Sequence, residues 1–220
     1  MGMCMNARFA VTGTTLLLAL ALTPSELHAW PWSKKCDLSD AASLTIKSFD
    51  RCSQNHLDSF YLELRAGSAI PDGSFDGRVQ LARPDSSGKR SILRFLRRLI
   101  PNFIRESEEY FMERLWKGKI FYRENLNEAV LRNRVRSRLA FPAHVYYGRS
   151  LFDDSRLSVI IDYKYNQDIE GYNPSTDWMV NEEGLAVRDE IRQVRPGLYL
   201  GRAYVKDKFL LNFILQSSEQ

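Results

Sequence analysis

The chain has 220 residues, 44% hydrophobic and 26% charged, with a formal net charge of +4. That length suits one ordinary domain with a real core. The basic excess favours contact with anionic surfaces, but it is too small to argue for a nucleic-acid partner.

Residues 1–29 read as a signal peptide. Arg8 gives a thin positive start, residues 11–22 are apolar, Pro24 breaks any helix after them, and Ala29 supplies a small residue for cleavage. The apolar run is shorter than the roughly 20 residues a membrane span needs. The alternatives are an uncleaved anchor and a buried N-terminal helix. Export implies a periplasmic or secreted protein of the bacterial envelope. Cleavage removes Arg8 and Glu26 together, so the net charge is unchanged, and it removes Cys4. Cys36 and Cys52 then remain, and in an oxidising compartment an even pair is expected to form a disulfide. Paired sulfurs leave no cysteine nucleophile or thiolate metal site.

Residues 30–67 read as an arm followed by two short helices. The first spans 40–51 with Leu44 and Phe49 inward. The second starts at Asn55 as N-cap, carries Leu57, Phe60, Tyr61 and Leu64 at helical spacing, and stops near Gly67. Residues 68–220 read as a β-barrel-like domain with a helical insertion at 90–115. Pro71-Asp72-Gly73 marks a turn, and 75–82 alternates like a strand. Within the insertion, Arg94, Arg97, Arg98 and Arg105 interleave with Ile92, Phe95, Leu96 and Leu99. That is either a cationic amphipathic helix for an anionic membrane surface or a helix covering one end of the sheet. Further strands are expected at 119–122, 139–147, 157–165, 186–194, 198–204 and 208–215. Pro196-Gly197 and the 205–208 link make hairpins. The stretch 167–184 is a long loop able to cover a barrel mouth. The fold class is therefore α+β, mainly β: an antiparallel lipocalin-like barrel preceded by short helices and interrupted by one amphipathic helix.

Several blocks occur together: Trp116-Lys117-Gly118-Lys119, Ile161-Asp162-Tyr163, Arg188-Asp189-Glu190-Ile191-Arg192 and Pro196-Gly197-Leu198-Tyr199-Leu200-Gly201. The chain resembles a group of uncharacterised bacterial exported proteins that share these blocks in this order. More distantly, the tryptophan-glycine entry strand and the final hairpins look like the GxWxG-type small β-barrels of the lipocalin-like (calycin) class, with Arg114 in place of the first glycine. The first resemblance carries no activity. The second implies binding of an apolar small molecule inside a barrel, with no catalytic residue and no cofactor.

The candidate ligand-binding residues are Trp116, Lys119, Asp162, Tyr163, Arg188, Glu190, Arg192 and Tyr199. Asp162 follows an apolar run, and a buried carboxylate needs a partner. Arg188, Glu190 and Arg192 share one face of their strand, while Val187, Asp189 and Ile191 share the other. If the arginines face the interior, they hold the carboxylates and leave donors for a ligand head group. The competing reading is a structural charge network or a solvated outer face. Trp116 and Lys119 either line an entrance or close the barrel floor. Tyr163 and Tyr199 belong to a group of strand tyrosines that packing also explains. No metal-ligand spacing, nucleophile elbow or phosphate loop occurs.

Three functions follow as expectations. The first is an exported, non-enzymatic protein holding an apolar or amphiphilic small molecule in the barrel. The second is a cofactor-free hydrolase or isomerase using Asp162, Asp189 or Glu190. The third is an envelope-associated protein docking through the cationic helix at 89–105.

Overall fold

The computed structural model describes residues 36–80 and 115–218. The signal-peptide reading at 1–29, the arm at 30–35 and the helical insertion at 90–115, Leu115 excepted, lie outside the described residues.

Eight antiparallel strands close into one barrel in sequence order. They are β1 (Gly73–Gln80), β2 (Trp116–Arg123), β3 (Glu128–Val135), β4 (Arg138–Arg149), β5 (Leu157–Asp162), β6 (Val187–Arg195), β7 (Leu198–Val205) and β8 (Lys208–Ser217). β8 pairs back onto β1, with Phe75 opposite Ser217 and Gln80 opposite Asn212, so among the described residues no sheet edge is left open. All these strands but β3 overlap a stretch expected from alternation. In β3, Ala129, Leu131 and Asn133 are buried and Glu128 is exposed, a period of two in a segment whose arginines weaken its strand character.

Side chains alternate in and out along each strand. The inward set includes Phe75, Phe121, Leu131, Val145, Val159, Ile161, Ile191, Tyr199, Phe213 and Leu215, all buried. Aromatic rings fill the middle: Phe75 meets Phe121 at 5.5 Å and Tyr199 at 5.7 Å between centroids. The interior is thus packed with side chains, as is normal for a barrel of this size.

A second core lies on the outer face of β6, β7 and β8. Val194, Leu198, Leu200 and Ile214 point outward there and are covered by Leu44, Phe49, Leu57, Tyr61 and Leu64. The covering segment departs from the expected single helix at 40–51. It makes two 3-10 turns, Ala41–Ser43 and Ile46–Phe49, with Thr45 extended between them. The Thr45 amide donates to Ser48 Oγ at 3.0 Å, and such local bonds compete with helical ones. Helix α1 spans Gln54–Glu63. Its N-cap is Ser53, whose hydroxyl accepts from the His56 amide at 3.3 Å, and not Asn55.

Cys36 and Cys52 form a disulfide across 16 residues of sequence, between the approach to the first turn and the residue preceding Ser53. It staples the covering segment and links no strand covalently. Replacing both cysteines by serine should lower stability by about 3 kcal/mol in the chain-entropy model. The β-sheet circular dichroism of the folded state should stay unchanged, and guanidinium denaturation reads both effects.

The two ends of the barrel differ. At the mouth, where odd-numbered strands start, residues 65–70 cross the opening. The Gln193 amide donates to Arg65 O at 2.7 Å, the Tyr147 hydroxyl to Gly67 O at 3.2 Å, and the Ile70 amide to Leu126 O at 3.2 Å. At the floor, the β5–β6 connection folds over the opening. Asp177 in it accepts from the Phe141 amide at 3.1 Å, and Asn166 donates to Pro142 O at 3.2 Å.

Candidate functional site

A polar cluster is buried inside the floor end of the barrel. Its geometry starts with an irregularity in β2, a register shift between Trp116 and Gly118. In a regular strand, residues three apart face opposite ways. The shift lets Trp116 and Lys119 both point inward. Gly118 makes it possible: its φ is +133°, and a Cβ there would lie 2.0 Å from Phe75 O. The Trp116 ring rests against Gly77 and meets Phe213 at 5.7 Å.

Lys119 is 2% exposed. Its Nζ donates to Tyr163 Oη at 2.6 Å, to Asn133 Oδ1 at 2.9 Å and to Asp189 Oδ2 at 2.9 Å. It also lies 5.3 Å from the ring centroids of Tyr163 and Phe213 and 5.5 Å from that of Trp116. Asn133 is held on all sides. Trp116 Nε1 donates to its Oδ1 at 3.0 Å, and its Nδ2 donates to Phe141 O at 3.0 Å and Tyr163 Oη at 2.9 Å. Burial pushes the Lys119 ammonium below its ordinary pKa, against the upward pull of Asp189. Burial also holds the Tyr163 phenol well above its ordinary value, reinforced by the charge of Asp189.

Four of the expected ligand residues lie elsewhere than the interior. Arg188, Glu190 and Arg192 occupy the outer face of β6, and Asp162 the outer face of β5. The inward face of β6 is the one with Asp189 and Ile191. Glu190 is fully buried under the β4–β5 connection, accepting from Ser150 Oγ at 2.5 Å and the Leu151 amide at 2.7 Å. Arg188 bonds Glu190 at 3.1 Å and Arg149 O at 2.5 Å. Arg192 lies beneath α1, donating to Ser158 Oγ and Tyr61 O, each at 3.0 Å, with its guanidinium 4.5 Å from the Tyr61 ring. Asp162 sits opposite Arg188 in register but takes other partners, the Tyr146 hydroxyl at 2.8 Å and the Lys164 amide at 2.9 Å. Apart from Asp162, these residues form a structural charge network that holds α1 and the β4–β5 connection on the barrel. Arg202 belongs to it as well, stacked 3.9 Å from the Phe152 ring and paired with Asp58.

Trp116, Lys119 and Tyr163 are therefore brought together, and Tyr199 is separate. Tyr199 packs on Phe75 near the mouth and contacts Gln193 Nε2 at 3.5 Å. Sequence reasoning missed Asn133 and Phe213, and it left Asp189 out of the ligand set. For Asp189 the signal was present, since it alternates with Val187 and Ile191.

The open space lies at the mouth, outside the filled interior. A cavity of about 850 Å³ is lined by Leu64, Arg65, Ala66, Gly67, Ser68, Tyr147, Ser155, Arg156, Leu157 and Gln193. Apolar walls come from Leu64, Ala66, Tyr147 and Leu157. Leu157 is 57% exposed, and Leu62 and Leu151 are exposed as well. Arg156 is held by Leu62 O and by Asp153 at 3.4 Å. The Arg65 guanidinium has no ion-pair partner among the described residues.

Among the described residues, no group of three or more His, Cys, Asp or Glu side chains is placed to hold a metal ion. The site thus belongs to a small closed antiparallel barrel with a filled polar floor and an open, partly cationic mouth. Comparison with protein-family models, curated proteins and solved structures gave no match.

Proposed function

We propose that this is an exported, non-enzymatic binding protein of the bacterial envelope, and that it takes an amphiphilic small molecule at the barrel mouth. The observation that carries this reading is the 850 Å³ cavity, which pairs apolar walls with two arginines. That volume lies in the range of small-molecule sites, roughly 300–1,000 Å³. A short acyl chain would lie against Leu64, Ala66, Tyr147 and Leu157, and Arg65 and Arg156 would meet an anionic head. The Cys36–Cys52 disulfide is consistent with an oxidising compartment and so with export.

The ligand position differs from the one expected inside the barrel, because side chains occupy that space. The carboxylates considered for acid–base chemistry are engaged: Asp189 by Lys119, Glu190 by Ser150 and Leu151, and Asp162 by Tyr146. Docking through the cationic stretch 89–105 concerns residues outside those described.

The test is a titration of the chain lacking residues 1–29 with a fluorescent fatty acid. Saturable binding is expected, weakened at least about tenfold in Arg65→Glu/Arg156→Glu, as the loss of charge-assisted hydrogen bonds implies. Absence of saturable binding, or an unchanged affinity in the double variant, would overturn the proposal.

A further inference from the structure

The floor cluster brings together an ammonium, a carboxamide and a carboxylate in a buried space. Lys119 and Asn133 are direct register partners on β2 and β3. Lys119 Nζ touches the carboxamide, 2.9 Å from Oδ1, and Asp189 Oδ2 lies 2.9 Å from the same nitrogen. Tyr163 Oη is 2.6 Å from Nζ, 2.9 Å from Asn133 Nδ2 and 3.3 Å from Asp189 Oδ2. The aromatic walls are Trp116, Tyr163 and Phe213.

We propose that Lys119 and Asn133 react once, after folding, to form an intramolecular amide bond, with Asp189 and Tyr163 as its catalytic groups. The bond formed joins Nζ to Cγ of Asn133, and the bond broken is Cγ–Nδ2. Asp189 takes one proton from the Lys119 ammonium and frees the amine. Addition to Cγ places negative charge on Oδ1, where Trp116 Nε1 already donates at 3.0 Å. A second proton passes from Nζ through the Tyr163 hydroxyl to Nδ2, which leaves as ammonia while the carbonyl reforms. Asp189 ends protonated. No oxidant, metal or water is consumed.

Three physical features favour this step. The partners are held by strand pairing, so no encounter is required. Burial biases Lys119 toward the neutral amine, the reactive form. The product also replaces a buried ion pair by a neutral amide and a neutral acid, relieving the desolvation of two charges. The bond would cross-link the β2–β3 hairpin beside the floor. It is independent of any ligand at the mouth.

The test is the intact mass of the purified full chain under denaturing, reducing conditions, followed by peptide mapping. The folded wild type should be lighter than its composition by one ammonia. Digestion should give a branched peptide joining Lys119 to Asn133, which distinguishes the bond from a succinimide at any asparagine. Lys119→Met and Asp189→Ala should show the full mass. A wild type at full mass, or an ammonia loss that maps elsewhere, would overturn the proposal whether or not the variants fold.

Discussion

Asp189→Ala should lower the unfolding free energy by about 3–5 kcal/mol, because it leaves the Lys119 charge buried without its counter-ion. Lys119 is nearly sealed from water: it is 2% exposed and ringed by Trp116, Tyr163 and Phe213. Replacing both members, Lys119→Met with Asp189→Leu, should recover much of the loss, since apolar residues of similar volume often substitute for a buried pair with little penalty. Guanidinium denaturation of the single and double variants reads the difference. A near-neutral single variant would mean that the floor admits water. Asp189→Ala also stops the proposed amide bond, so its denaturation curve is interpreted together with its intact mass.

Gly118→Ala is the second large effect. The added Cβ would meet the Phe75 carbonyl oxygen at 2.0 Å, a backbone atom that has no rotamer to yield. The φ of +133° is also unfavourable for any residue with a side chain. Because the irregularity at Gly118 lets Trp116 and Lys119 share the interior, relaxing it turns one of them outward. A loss of at least about 3 kcal/mol is expected. Trp116 should gain solvent exposure, read as a red shift of tryptophan emission. Unchanged stability and emission would show that the strand tolerates a regular register here.

The barrel itself was legible because alternation is a strong signal where one face is buried. Leu139, Val145 and Tyr147, or Val159 and Ile161, announce strands by residue type as well as period. β3 was harder, since Arg132, Asn133 and Arg134 interrupt its apolar positions. Asn133 is buried for a reason that a local pattern does not contain: Lys119 and Tyr163, 14 and 30 residues away, satisfy it.

The assignment of faces on β6 shows a different limit. Charged residues occupy both faces, with Arg188, Glu190 and Arg192 on one and Asp189 on the other. The structure turns the second face inward, with Ile191 in the barrel core and Val187 packed against it, and so reverses the expectation that the arginines face the interior. Of the outward arginines, Arg192 is nevertheless fully buried and Arg188 half-buried, because α1 and the β4–β5 connection cover that side of the barrel. A strand with a core on each face gives no clean contrast between a polar and an apolar side, so Arg188, Glu190 and Arg192 fell on the outer face while Asp189 joined the floor cluster. The mouth cavity was not legible at all. It is assembled from the 64–68 segment, the ends of β4 and β6 and the start of β5, which only the closed barrel brings together.

The position of a bound amphiphile tests the central claim most directly. Isotope-filtered nuclear Overhauser contacts can be measured between unlabelled dodecanoate and the carbon-13-labelled methyl groups of the chain. The account predicts contacts to Leu64, Ala66 and Leu157 at the mouth and none to Leu131, Val145 or Ile161. Contacts to those interior methyls, or none to any of the six, would contradict it.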